Sequence, residues 1–243
     1  VNEGFRDADF VSDVVTGWLP ELSGEQPTFL WMHLFDPHDV YQARAPWATE
    51  FYDQMAQQRP EMLADAATRD RRLSMWSRLL MRDLLAAPET ATDRAVVGTL
   101  EALYDSEIRY MDGVLAALMQ RVDPNHDAVL IITADHGDEF RDHGYLGHRT
   151  TLYEELVRVP LIIRAPGAGQ PGRVISEPVS TVDIMPTLLE LATGDPTEAG
   201  LAGVTLWPTV LGDGAPSARP LYTSVRRHGE EVRGVVQGET KLT

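Results

Sequence analysis

The stretch Val129-Leu130-Ile131-Ile132-Thr133-Ala134-Asp135-His136-Gly137-Asp138 decides the fold, because an apolar run passes directly into a carboxylate and an imidazole. Residues 128–132 are apolar without alternation. That is the pattern of a strand covered on both faces, and such strands belong to parallel sheets flanked by helices. Sheets of that kind bind ligands just beyond the carboxyl ends of their strands. Asp135 brings a hard anionic oxygen to that position and His136 an imidazole nitrogen, so the pair reads as metal ligands. Gly137 is expected to let the backbone turn sharply enough to aim both inward.

Outward from this stretch, Thr28 to Leu34 reads as a second buried strand, ending in Phe35-Asp36-Pro37-His38. Pro37 stops the ladder, so His38 is expected to project from the strand's end, whereas His33, inside the strand, is assigned a structural role. Phe10 to Leu22 has the spacing of a short amphipathic helix. Glu101 to Arg121 is a stronger one, with Leu103, Ile108, Met111, Leu115 and Leu118 as its apolar stripe. Strand, helix and strand together predict a parallel crossover unit. Residues 44–88 carry a helical period through Met62, Ala66, Leu73, Trp76, Leu80 and Leu84 and read as a surface insertion. Val159 to Arg164 is a third strand, Thr181 is expected to cap a helix that Gly194 ends, and Leu221–Val225 with Arg233–Val236 predict a hairpin.

Composition bounds the function. The 243 residues, 43% of them hydrophobic, suffice for one large α/β domain and the start of a second. A net charge of −16 argues against nucleic acid and against an anionic membrane surface, which both need a basic face. An anionic substrate therefore needs local cations, and these are arginines and histidines, since Lys241 is the only lysine. The absence of cysteine excludes disulfides, thiolate metal sites and a thiol nucleophile within these residues. No apolar run approaches the roughly 18 residues of a membrane span, and Val1-Asn2-Glu3-Gly4 does not open a signal peptide.

Five motifs in order carry a resemblance: Phe35-Asp36-Pro37-His38, Tyr104-Asp105-Ser106-Glu107-Ile108, Thr133 to Asp138, Leu152 to Pro160, and Val182 to Leu189. Together they resemble the middle and later part of a bacterial type I sulfatase of the alkaline phosphatase superfamily, over residues 28–192. The resemblance implies an α/β fold, an alkaline-phosphatase-like α/β/α sandwich with a mostly parallel sheet, truncated at both ends. Residues 1–205 would form the later part of the catalytic domain, with a helical insertion at 42–95, and 206–243 the start of a small-sheet subdomain. It also implies one divalent cation, usually Ca2+, with Asp135 and His136 as metal ligands. His38 matches the family histidine that touches the sulfate ester, so His38 and His148 are the candidate catalytic residues. His38, His148, Arg149 and His143 are the candidate substrate-binding residues. Asp105, Glu107 and Asp112 are expected on a solvated or packing face, and Glu154, Glu155 and Arg158 in structural ion pairs.

Sequence departures from the family are as informative. Sulfatases of this type attack with a formylglycine made in a Cys/Ser-x-Pro-x-Arg motif. No such motif occurs here; Ser176-Glu177-Pro178-Val179-Ser180 lacks the arginine. The early aspartate pair that shares the metal is also missing. The chain thus reads as a fragment that hydrolyses no sulfate ester by itself. A family lysine is replaced by His148-Arg149, either of which can supply a cation; Gly147 before His148 favours the histidine. The expected partner is a small-molecule or sugar sulfate ester. Two alternatives stand: a phosphodiesterase, phosphonate monoester hydrolase or phosphoglycerol transferase of the same superfamily, and an inactive sulfatase-like binding domain.

Overall fold

The computed structural model describes residues 7–22, 27–38, 41–58, 91–148, 151–168, 171–196, 200–227 and 229–243. Most of the insertion expected at 44–88 lies outside them. The chain divides into two units, Val1–Asn125 with Phe140–Leu146, and His126–Glu139 with Gly147–Thr243.

The first unit is helical. Helix α1 (Ala8–Leu22) buries Ala8, Ser12 and Val15, a spacing of four and three that turns one stripe toward its neighbour. That neighbour is the long helix α3 (Ala91–Val122), which also packs against α2 (Trp47–Gln58). Small residues at Ala95, Gly98, Thr99 and Ala102 make one face of α3 shallow, and the fully buried ring of Tyr52 from α2 lies against Ala95 and Ala102. A second cluster joins Tyr41, Ala48, Val97, Leu100 and Leu103. Tyr41, Tyr104 and Phe140 close it with ring centroids 5.4–5.9 Å apart, at separations favourable for edge-on aromatic pairs. The stripe read from the sequence is thus only partly the core face, since Leu103 and Leu118 are buried but Ile108 is exposed.

Residues 27–35 correct the sequence reading. They belong to no strand, because a strand needs ladder bonds and no neighbour among the described residues supplies them. Phe29 and Trp31 are 75% and 78% exposed. His33 is likewise exposed rather than buried in a sheet, its ring stacked at about 6 Å between Trp31 and Phe35.

In the second unit β1 (Leu130–Thr133) follows the apolar run as expected. After the short strands β2 (Glu139–Phe140) and β3 (Leu146–Gly147), helix α4 (Glu154–Val157) leads into β4 (Leu161–Arg164). β1 pairs with β4 antiparallel, Ile131 opposite Ile163 and Ile132 opposite Ile162. Among the described residues no parallel partner is paired with β1: its partner lies after it in sequence, and α4 with its flanking loops returns the chain in the opposite direction. An apolar run does not by itself fix strand direction, and β1 is only partly buried.

A 3₁₀ turn at Thr181–Asp183 runs into α5 (Ile184–Thr193), which Gly194 ends at φ 78°. The cap is one residue earlier than expected, since the N–H of Ser180 donates to Asp183 at 2.9 Å. Asp183, 1% exposed, also accepts from Val204 N and pairs with Arg219. Removing that carboxylate strands a guanidinium and two backbone donors, so Asp183→Ala is expected to cost about 3 kcal/mol, read as a lower urea midpoint. An unchanged midpoint would mean that the network holds nothing together. Beyond α6 (Trp207–Leu211), the predicted hairpin is present and extended to a three-stranded antiparallel meander, β5 (Leu221–Arg227), β6 (Glu230–Gln237) and β7 (Thr240–Leu242). Among the described residues no helix is long and apolar enough to cross a membrane.

Candidate metal and anion site

The second unit gathers Asp135, His136, Asp138 and His148 beyond the end of β1. Asp135 follows the strand by two residues, and its carboxylate, 78% exposed, accepts the N–H of His136. The His136 ring is fixed from the other side: Nδ1 lies 2.9 Å from the carbonyl oxygen of Gly137. A carbonyl only accepts, so Nδ1 carries a hydrogen, and in the neutral ring the lone pair then falls on Nε2, the tautomer a metal ligand needs. Nε2 lies 3.8 Å from Asp135 Oδ2, a separation two donors adopt around one small cation.

Gly137 is required for a reason other than the one expected. Its φ is not among the positive ones; instead its N–H donates to Leu156 O at 2.9 Å, and a Cβ there would overlap the Glu155 carbonyl oxygen. Close backbone approach, not a left-handed turn, excludes a side chain here and docks the Asp135-His136 segment on α4. The positive φ falls at Gly147, 77°, immediately before His148.

His148 stacks on His136 with ring centroids 4.0 Å apart, and its Nδ1 donates to Asp138 Oδ1 at 2.6 Å. The Asp138 side chain is 4% exposed, so the bond is shielded from water and the imidazole is held in one orientation. Asp138 was missed as a site residue, although it stands in the decisive stretch. Its signal was a carboxylate two residues after an imidazole in a glycine-bearing loop. Asp135, His136 and His148 line an open groove of about 1550 Å³, together with Arg158, Arg173 and Lys241.

The ion pairs expected on α4 are redistributed. Glu154 bonds Lys241 at 2.8 Å, and among the described residues Arg158 makes no ion pair, so its guanidinium is available to the groove. His143 is exposed at the tip of the β2–β3 hairpin, in the first unit. Arg149 lies outside the described residues.

His38 also belongs to the first unit. Its N–H donates to Phe35 O at 2.8 Å, closing a turn over Phe35–His38, and its ring lies 4.8 Å from that of Phe35. Of the α3 carboxylates, Asp112 is a surface partner of Arg109, and burial raises the pKa of Asp105. Glu107 is neither solvated nor plain packing. It is 2% exposed, and burial pushes its carboxyl up to about 8 against the opposing pull of the Gln42 N–H.

The sulfatase family model matches residues 2–194. The chain belongs to the sulfatase family. It is 31% identical over 136 residues to the delta 4,5-hexuronate-2-O-sulfatase of Bacteroides thetaiotaomicron, covering 52% of this chain and 28% of that protein. It is 28% identical to the multifunctional alkaline phosphatase superfamily protein PehA of Trinickia caryophylli, over 88% of this chain and 43% of the relative. Among solved structures, the phosphonate monoester hydrolase SpPMH from Silicibacter pomeroyi superposes with a TM-score of 0.67 at 23% identity, over 90% of this chain and 44% of that one. A structure of BT4656 in complex with D-glucosamine-2-N,6-O-disulfate gives 0.62 at 18% identity, over 96% of this chain and 59% of that one. These likenesses establish the sulfatase and alkaline-phosphatase-like α/β fold. The chain spans less than half the length of these two curated relatives.

Proposed function

We propose that this chain carries metal-ligating and sulfate-contacting residues of a sulfuric ester hydrolase acting on sulfated sugars. The observation that carries the reading is the His136 ring, whose hydrogen bond to Gly137 O leaves Nε2 beside the Asp135 carboxylate. One oxygen and one neutral imidazole nitrogen suit part of a divalent cation's shell, and the carboxylate favours Ca2+ over softer ions. Such a cation, when bound, offsets negative charge developing on the ester oxygens.

The protein's own groups hold the substrate. His148, oriented by Asp138, presents its remaining ring nitrogen for a hydrogen bond to a sulfate oxygen or for proton transfer, and His38 matches the family histidine with the same task. In a chain of net charge −16, Arg158 in the groove supplies a local cation for an anionic sugar. Sulfated sugars as a class are suggested by the names of the uronate sulfatase and of the glucosamine disulfate complex. An attacking group of the Cys/Ser-x-Pro-x-Arg type is not encoded in these 243 residues. A second reading, hydrolysis of phosphonate esters by the same residues, is suggested by the name of the phosphonate monoester hydrolase that superposes on 90% of this chain.

In the longest natural reading frame that carries this chain, His148→Gln is expected to lower kcat for an aryl sulfate by about 100-fold. Asp138→Asn, which keeps the ring but not its anionic anchor, should lower it by about 10-fold. Steady-state kinetics checks both, and unchanged kcat in His148→Gln would take His148 out of the reaction.

A further inference from the structure

We propose that Arg44 is a positioning residue that fixes the Phe35–His38 turn, and so sets where His38 presents its imidazole. Asp36 is the second residue of that turn, and its side chain is 6% exposed. Its two oxygens are pinned from different directions: Oδ2 accepts the N–H of Ala8 at the start of α1 at 2.9 Å, and Oδ1 accepts from Arg44 Nη2 at 2.8 Å. Arg44 is in turn fixed on α3. Its guanidinium carbon sits 4.0 Å from the centroid of the Tyr110 ring, its Nε lies 3.8 Å from Glu107 Oε1, and its backbone N–H donates to Ser106 Oγ.

One planar group thus does three things that its shape permits together: it bonds a buried carboxylate, stacks on an aromatic face and faces a second carboxyl. An ammonium cannot do all three from one place. His38 follows Asp36 by two residues, within the same hydrogen-bonded turn, so displacement of Asp36 is transmitted to the His38 ring. A displacement of about 1 Å in a reacting group can cost about 100-fold in rate. The functional consequence rests on the reading of His38 as a sulfate contact; the structural claim, that Arg44 sets the His38 ring, does not.

The test uses Arg44→Lys and Asp36→Asn in the full chain, with the His38 ring resonances assigned through His38→Gln. Both variants are expected to move the His38 ring signals while backbone amides of α3 far from Arg44 keep their shifts. In a double-mutant cycle the two substitutions should be non-additive in the His38 shift. His38 signals that stay in place in both variants, or that move only as the whole amide spectrum collapses, would overturn the positioning role. In the longest natural reading frame, Arg44→Lys should lower kcat for an aryl sulfate by about 10-fold or more, with KM changed less. If His38→Gln leaves turnover intact while the Arg44→Lys ring shifts persist, the sulfate contact fails and the positioning role stands.

Discussion

Asp135→Ala is expected to weaken Ca2+ binding by more than about 100-fold. Removing even an outer partner of a metal ligand costs about 10- to 100-fold, and Asp135 is proposed as the anionic ligand itself. Stability should hardly change, because the carboxylate is 78% exposed and an exposed substitution stays within about 0.5 kcal/mol. Among the described residues the side chain's short hydrogen bond is to the adjacent His136 N–H. Calorimetric titration of the variant checks the first part and a urea curve the second. Calcium binding that survives the substitution would remove Asp135 from the site.

The second large effect is on stability against pH, and it belongs to Glu107. In the folded protein its carboxyl is raised from the usual range near 4.5 to about 8, first by burial and then by Asp36, with Gln42 N–H and Arg44 pulling the other way. A raised carboxyl binds its proton more tightly folded than unfolded. Its contribution is therefore fully present below about pH 4.5, declines between about 4.5 and 8, and is lost above. The slope is about 1.4 kcal/mol per unit, so the loss across that window is on the order of 5 kcal/mol. Glu107→Gln should remove most of it, leaving the smaller same-signed slope of Asp105, also raised by burial. Urea midpoints at pH 5 and pH 9 decide the matter: a wild-type decline that Glu107→Gln does not flatten would show that another group titrates.

How far these features could be read in the sequence depended on their range. Helix α1, the long helix α3, β1, β4 and the C-terminal hairpin were legible because each rests on a local pattern of apolar residues. The strand expected at Thr28–Leu34 and the parallel direction of β1 were not, since both depend on which segment lies alongside, and periodicity carries no such information. At the candidate site, Asp135 and His136 were singled out by adjacency at a strand exit. Asp138 did not, because its role is to hold a histidine ten residues away, nor did Gly137's need for closeness to Glu155. The joining of Arg44 to Asp36 and Glu107 was not legible either, as it spans 8 and 63 residues and depends on α3 packing. Arg158 and Glu154 looked like partners by spacing, yet Lys241 takes the glutamate from a distant strand.

The most direct measurement of the sulfatase reading is the ratio of kcat/KM for an aryl sulfate to that for the corresponding phosphonate monoester, in the longest natural reading frame that carries this chain, with and without Asp135→Ala. A sulfate ester hydrolase built on these residues prefers the sulfate, and the substitution abolishes turnover of both esters. Preference for the phosphonate would contradict the assignment in favour of the neighbouring activity, and sulfate turnover that persists in Asp135→Ala would contradict the site itself.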